Sequence, residues 1–218
     1  VFVDELVSPH SLPGWITWTN TCAFLSSLKT SLNALDMLLF ANIAVVPYSL
    51  TDGEVAQLTT AVDGMTFEMP VHADARTSVA NMTRLIAVYR TWLDAGKTVV
   101  LVCVPPAGVD YNTDNQFLAA FAMMVRRPGD KLFVSRGYER SGAEWTNWPR
   151  DMGTAQQDYQ IGGSTPTLTR KFSGGTIRLE AASNNGFIAL GRTPFSRKKK
   201  ADSSRRGELC SVGTKWTK

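Results

Sequence analysis

Residues 61–72 read AVDGMTFEMPVH. Asp63-Gly64 is a turn signal, Met65-Thr66-Phe67 is a short apolar run of strand character, and Glu68 closes it ahead of Met69-Pro70. An acid at the end of such a run is how parallel-sheet proteins hold a polar group at the carboxyl edge of the sheet. Glu68 is therefore the first candidate for acid–base chemistry. An ordinary surface glutamate at a strand end would read the same way.

Working outward, the flanks decide what kind of sheet this strand belongs to. Upstream, FANIAVVP (40–47) is β-branched and apolar, a buried strand stopped by Pro47, and TDGEVAQLTTA is a short helix with Thr51 or Asp52 as N-cap. Downstream, TSVANMTRLIAVYRTWLDA (77–95) has helical periodicity and a Gly96-Lys97 stop, and TVVLVCVPP is near-continuously apolar, as buried parallel strands are. A loop carrying Asp110, Tyr111, Asn112 and Asp114 leads to the helix QFLAAFAMMVRRPG and the strand KLFVSRGY. At the start, VFVDEL reads as a strand ending on Asp4-Glu5, and SPHSLPGW as loop. Leu25, Leu28, Leu32, Leu35 and Leu39 recur at helical steps, which predicts a helix running to Phe40.

Residues 1 to 138 thus alternate strand and helix, the pattern of an α/β fold with parallel strands and right-handed crossovers. Strand starts fall about 30 residues apart, near one eighth of the roughly 250 residues of a (β/α)8 barrel. About five β/α units are visible. After Tyr138 the chain turns polar, with Trp145 and Trp148 close together. TLTRKFSGGTIRLEAASNNGFIALG then predicts a hairpin about Ser-Gly-Gly and a third strand, a small antiparallel β appendage. The expected organisation is a partial β/α barrel over 1–150, the β-hairpin appendage over 151–190, and a basic disordered tail over 191–218.

Composition narrows the function. The chain of 218 residues is 44% hydrophobic and 19% charged, enough to bury a sizeable core. Its net charge of +4 is misleading, because nine Lys/Arg against two acids lie from Gly191 onward, leaving 14 basic and 17 acidic residues before it. The body carries no surplus of the kind nucleic-acid binding needs, and the cluster Arg197-Lys198-Lys199-Lys200 is explained by a solvated tail. Three cysteines make no disulfide framework, Cys103 reads as a buried small hydrophobe, and two histidines with no zinc spacing predict no metal. No Gly-rich phosphate loop or Ser-His-Asp set stands out, so no organic cofactor is expected. No run of eighteen apolar residues predicts a membrane span. VFVDEL is not a signal peptide, and the absence of an initiator Met predicts that the chain begins inside a longer protein.

The order of these pieces resembles a known family, the (β/α)8-barrel glycosyl hydrolases of the hypothetical glycoside hydrolase family fifteen group. The matching pieces span roughly residues 1 to 190. They are VFVDEL, SPHSLPGW, FANIAVVP, VDGMTFEMP, DAGKTVVLVCV, KLFVSRGY, the run Trp145 to Gly153 (W-x-x-W-P-x-D-M-G), and Arg170-Lys171-Phe172-Ser173-Gly174-Gly175-Thr176-Ile177. Such proteins read Asp-Leu-Gly where this chain has Asp151-Met152-Gly153, and their hairpin commonly continues into Asn-Pro where this chain has Glu180-Ala181. The family's first strands have no counterpart here, so the resemblance implies that VFVDEL to KLFVSRGY are strands four to eight.

That numbering places Asp4 and Glu68 at one face, on strands two apart. Glycoside hydrolysis needs one protonated and one ionised carboxyl. The resemblance implies Asp4 as nucleophile or base and Glu68 as general acid, with the reverse assignment open. A separation of about 5 Å would mean retention and one of about 6.5–9.5 Å inversion, which the sequence does not choose between. Phe67, Met69 and Pro70 are expected to give Glu68 the apolar surroundings a general acid uses. Tyr48, Trp15, Trp18, Arg136 and Trp148 are the substrate-binding candidates, the aromatics because they fit the apolar faces of sugar rings. Trp145 shares that reading, and each Trp serves equally as core filler. Asn42 falls early to mid-strand, on a position that can face the barrel interior. Ser135 ends strand eight. Glu5 reads as structural, Asp63 as a turn residue, and His72 as a loop histidine or a donor behind Glu68. The expected partner is a carbohydrate substrate, with self-association through open barrel edges. The alternative is a catalytically inactive carbohydrate-binding or structural barrel fragment.

Overall fold

A computed structural model describes residues 1–7, 16–105, 108–135, 152–183 and 185–190. Five strands, β1 (Phe2–Val7), β2 (Phe40–Ala44), β3 (Gly64–Glu68), β4 (Thr98–Val102) and β5 (Leu132–Ser135), form one sheet in chain order, every pair parallel. Helices α1 (Trp18–Asn33), α2 (Asp52–Ala61), α3 (Ala73–Thr77), α4 (Val79–Asp94) and α5 (Tyr111–Val125) fill the crossovers. The order never reverses. With right-handed crossovers, that places all the helices on one face of the sheet.

Burial along the strands agrees. Ala41, Ile43, Met65, Phe67, Val99 and Leu101 are fully buried on the helix side. The alternate positions, Phe40, Thr66, Glu68, Val100 and Val102, are only half-buried. At the two sheet edges this second face carries Phe2 and Phe133, each 55% exposed. The parallel α/β architecture is the one the alternation predicts. Among the described residues β1 and β5 are edges and do not pair with each other.

The helix-side core is aromatic behind β3. Phe67 stacks on Trp92 at 5.1 Å and meets Tyr89 edge-on at 5.5 Å, and Tyr89 reaches Phe121. Such pairs add about 0.5–1.5 kcal/mol each beyond their burial. Gly64 is required by packing, since a Cβ there would lie 2.3 Å from the ring of Phe40, its partner across β2–β3. Of the two expected candidates Thr51, not Asp52, caps α2, in a full capping box with Glu54.

Three boundaries differ from expectation. The first helix ends at Asn33 rather than Phe40, because the chain reverses through Asp36 in a left-handed conformation. Leu35 is left exposed, and Leu39 enters the core beside β2 instead. A separate short α3 precedes α4. The residues expected as a loop after β4 form the first turn of α5, with Asp110 as its N-cap.

Residues 160–190 form the antiparallel sheet β6 (Gln160–Gly162), β7 (Thr167–Phe172), β8 (Gly175–Glu180) and β9 (Asn185–Leu190). The hairpin and third strand were expected; β6 was not. Leu168, Phe172, Ile177 and Leu179 join the main core. Arg170, 3% exposed, clamps the sheet to α5 by donating to the carbonyls of Met123, Met124 and Arg126 at the helix C-terminus, and to Gln157 O. A buried guanidinium satisfies those carbonyls and complements the negative end of the helix. Gly153, at φ 67, has no room for a side chain, since a Cβ would lie 2.0 Å from Ser173 Oγ. The expected disordered tail, 191–218, lies outside the described residues.

Candidate functional site

The half-buried face of the parallel sheet carries Asp4, Asn42, Thr66 and Glu68 on β1, β2 and β3, with Ser135 on the same face at the end of β5. Asn42 and Thr66 are register partners on β2 and β3, and Glu68 lies one pleat nearer the carboxyl edge. β1 and β2 are in register at Phe2–Phe40 and Val3–Ala41, then shift, so that β1 carries one extra residue before Leu6. Asp4 sits at that irregularity. It is mid-strand rather than strand-ending, because β1 continues to Val7. Bulges of this kind re-aim side chains next to functional sites.

The structure brings the two predicted carboxylates together through Asn42. Its Nδ2 donates to Asp4 Oδ1 at 2.8 Å and to Glu68 Oε1 at 3.1 Å. Thr66 Oγ1 donates to Asn42 Oδ1 at 3.2 Å. Asn42 is 7% exposed, Glu68 half-buried and Asp4 exposed. With both oxygens on one nitrogen, their separation is at most the sum of the two distances, about 5.9 Å. With one linear bond to each hydrogen of a planar amide it would be about 5 Å.

The turn after Glu68 is held tightly. Met69 has φ 47, a left-handed conformation that strains a residue with a Cβ. Tyr89 Oη donates to Pro70 O at 2.9 Å, and Arg76 Nε donates to Val71 O at 2.8 Å. Arg76 also pairs with Asp114 at 2.7 Å, lies 4.1 Å over the Phe117 ring, and shares Asp114 with the Cys103 thiol, whose Sγ donates at 3.3 Å. Arg76 and Asp114 are 4% and 0% exposed. This network joins β4, α3 and α5 beneath the carboxyl edge.

The expected apolar surroundings of Glu68 form differently. Phe67 turns to the opposite face, because neighbouring residues of a strand point to opposite sides, and Met69, past the end of β3 in the left-handed turn, is 44% exposed. Pro70 is buried in the turn that follows Glu68.

Trp18 is a correction. It lies in the first turn of α1, 6% exposed, with Nε1 donating to Glu54 O at 3.4 Å. Its ring fills the core between helices and offers no face to a sugar. Tyr48 lies in a short 3-10 turn after β2, and its hydroxyl donates to Asp74 Oδ2 at 3.4 Å. Burial first, then the Asp74 carboxylate, hold this phenol above its ordinary pKa and keep it a neutral donor. His72 is the N-cap residue of α3, with Nδ1 3.8 Å from Asp74 Oδ2. Asp63 is the turn residue expected: it accepts from Leu39 N at 2.9 Å and pairs with Lys29 at 3.4 Å, at the amino edge away from Glu68. Trp15, Arg136 and Trp148, with Trp145, lie outside the described residues.

From its strand position alone, Asn42 reads only as a residue facing the interior. The signal for more was one amide in an otherwise apolar strand, FANIA, level with the hydroxyl of GMTFE. Asp114 reads in sequence as a loop acid and Arg76 as a charge ahead of a helix, so nothing marks them as a buried pair. Among the described residues no three His, Cys, Asp or Glu side chains gather so as to hold a metal ion, and no helix is long and apolar enough to cross a membrane. Compared with known proteins, the chain matches no family model and no curated sequence.

Proposed function

We propose that the chain is a glycoside hydrolase of (β/α)8-barrel type, cleaving an O-glycosidic bond in a poly- or oligosaccharide with Asp4 and Glu68. In this reading β1 to β5 stand as barrel strands four to eight, and the antiparallel sheet is an appendage to them. The observation that carries it is the pair of carboxylates held on a single amide nitrogen, their bonded oxygens no more than about 5.9 Å apart. Retaining glycosidases use about 5–5.5 Å, whereas inverting ones need about 6.5–9.5 Å to admit a water. The bulge at Asp4 and the strained Met69 beside Glu68 support the reading, since strain collects where geometry must be imposed.

The chemistry follows from that spacing. Glu68, as acid, gives its proton to the glycosidic oxygen as the bond to the anomeric carbon breaks. Asp4 attacks that carbon from the other side and forms an ester. Glu68, now a carboxylate, takes a proton from water, the water oxygen bonds to the anomeric carbon, and Asp4 leaves. Tyr48, on the loop after β2, stays as a sugar-binding candidate. Trp15, Arg136 and Trp148 stay so on the resemblance alone. The test is Glu68→Gln on a panel of polysaccharides and aryl glycosides. Cleavage should be lost while the unfolding profile is retained, and unchanged turnover would remove Glu68 from the mechanism.

A second reading has its own observation. Phe2 and Phe133 are exposed on the face away from the helices, at both sheet edges. That supports a carbohydrate-binding or structural half-barrel without catalysis, which associates through its open edges. Sugar binding without turnover would select it.

A further inference from the structure

We propose that Asn42 is a positioning residue that sets the gap between Asp4 and Glu68, with Thr66 fixing the direction of its amide; this rests on the glycosidase reading. Four observations converge on it. The Asn42 nitrogen reaches both carboxylates, at 2.8 and 3.1 Å. Its oxygen takes the Thr66 hydroxyl at 3.2 Å. The reversed amide would set its oxygen against two carboxylate oxygens, so only one orientation satisfies the four groups together. And the side chain is 7% exposed in a strand whose neighbours, Ala41 and Ile43, are fully buried and apolar.

The placement matters as much as the bonds. β2 lies between β1 and β3, so a side chain on its half-buried face is equidistant in strand order from both acids. Asp4 follows Val3, the partner of Ala41, and so falls level with Asn42 just before the register of β1 shifts, and Glu68 reaches back one pleat from its own level. A planar amide offers two hydrogens at a fixed angle, so it defines a distance as well as a pair of contacts. An aliphatic residue of the same size would pack but hold neither carboxylate. A charged one would repel them or draw them inward.

Two measurements test this. The first is kinetic, on any aryl glycoside the wild type cleaves. Asn42→Ala should lower kcat by about 100-fold with KM within about threefold, because the groups are displaced while the sugar sites are left. Thr66→Val should lower kcat by about tenfold, and Thr66→Ser, which keeps the hydroxyl, should restore it. Wild-type kcat in Asn42→Ala, a loss confined to KM, or Thr66→Ser as impaired as Thr66→Val would each overturn the proposal. The second is spectroscopic and needs no turnover. In 15N-edited NMR spectra of the full chain, Asp4→Ala and Glu68→Ala should each shift the Asn42 side-chain amide protons. If neither shifts them, the clamp does not exist. That arm keeps Asn42 in place, so it decides even where Asn42→Ala does not fold. It also stands apart from the glycosidase reading: a wild type that cleaves no glycoside but shows both shifts loses the reaction and keeps the clamp.

Discussion

At the scale of single residues, burial does chemical work that exposure would undo. The Cys22 thiol is pushed up to about 11, by burial first and the Glu54 carboxylate second, and burial lifts the Tyr89 phenol well above its ordinary value. Both stay neutral in the folded chain where the unfolded chain would ionise. For groups raised in this way, stability is fully present below the unfolded pKa and falls as pH rises toward the folded one. The window for Cys22 is pH 9.0 to about 11. Urea midpoints should therefore hold up to about pH 9 and decline above it, and Cys22→Ala should flatten part of that decline. Asn42 shows what a sequence reading reaches at this scale. Glu68 and Asp4 were legible as acids on strands two apart, given the resemblance. The amide between them was not, because a bond between side chains on neighbouring strands depends on register, and register is absent from the linear pattern. Trp18 fails for the opposite reason: a Trp before a helix looks the same whether its ring turns outward or, as here, into the core.

Elements carry the site through pairs that look unremarkable in sequence. Arg76 on α3 and Asp114 on α5 are both nearly sealed from water, and together they anchor the loop that follows Glu68. Removing one partner leaves a buried charge unpaired, so Arg76→Met should cost about 3–5 kcal/mol in urea unfolding. Adding Asp114→Leu should recover most of that loss, since a well-packed apolar pair replaces a buried ion pair at little cost. The strands and helices themselves were readable because period and capping are local. Thr51, one of the two expected caps, holds its helix, and β2 to β5 fall where their apolar runs fall. The end of α1 was not readable: Leu35 continues the periodicity in sequence, while Asp36 turns the chain so that Leu39 can enter the core.

Over the whole molecule, five parallel strands in chain order with their buried side chains on one face leave the other face half open, and that face holds the carboxylates. The antiparallel sheet closes against α5 through Arg170, whose guanidinium meets three carbonyls at the helix end. Arg170→Met should destabilise the protein by at least about 3 kcal/mol, because those carbonyls lose a buried donor, and unfolding should cease to be a single transition. If the open face associates, as proposed, Phe2→Asp with Phe133→Asp should shift sedimentation toward the 23.9 kDa monomer, and an unchanged profile would remove that face from any interface. The α/β architecture was legible because strand and helix alternate at one spacing, whereas closure into a barrel is a property of edges, which no local pattern encodes. The central proposal is that Asp4 and Glu68, joined through Asn42, act as a retaining pair in a glycosidase site. The anomer formed first, followed by 1H NMR during hydrolysis of a glycoside the protein cleaves, tests it most directly. The account predicts a first product with the anomeric configuration of the substrate. An inverted first product, or no cleavage across the panel, would contradict it.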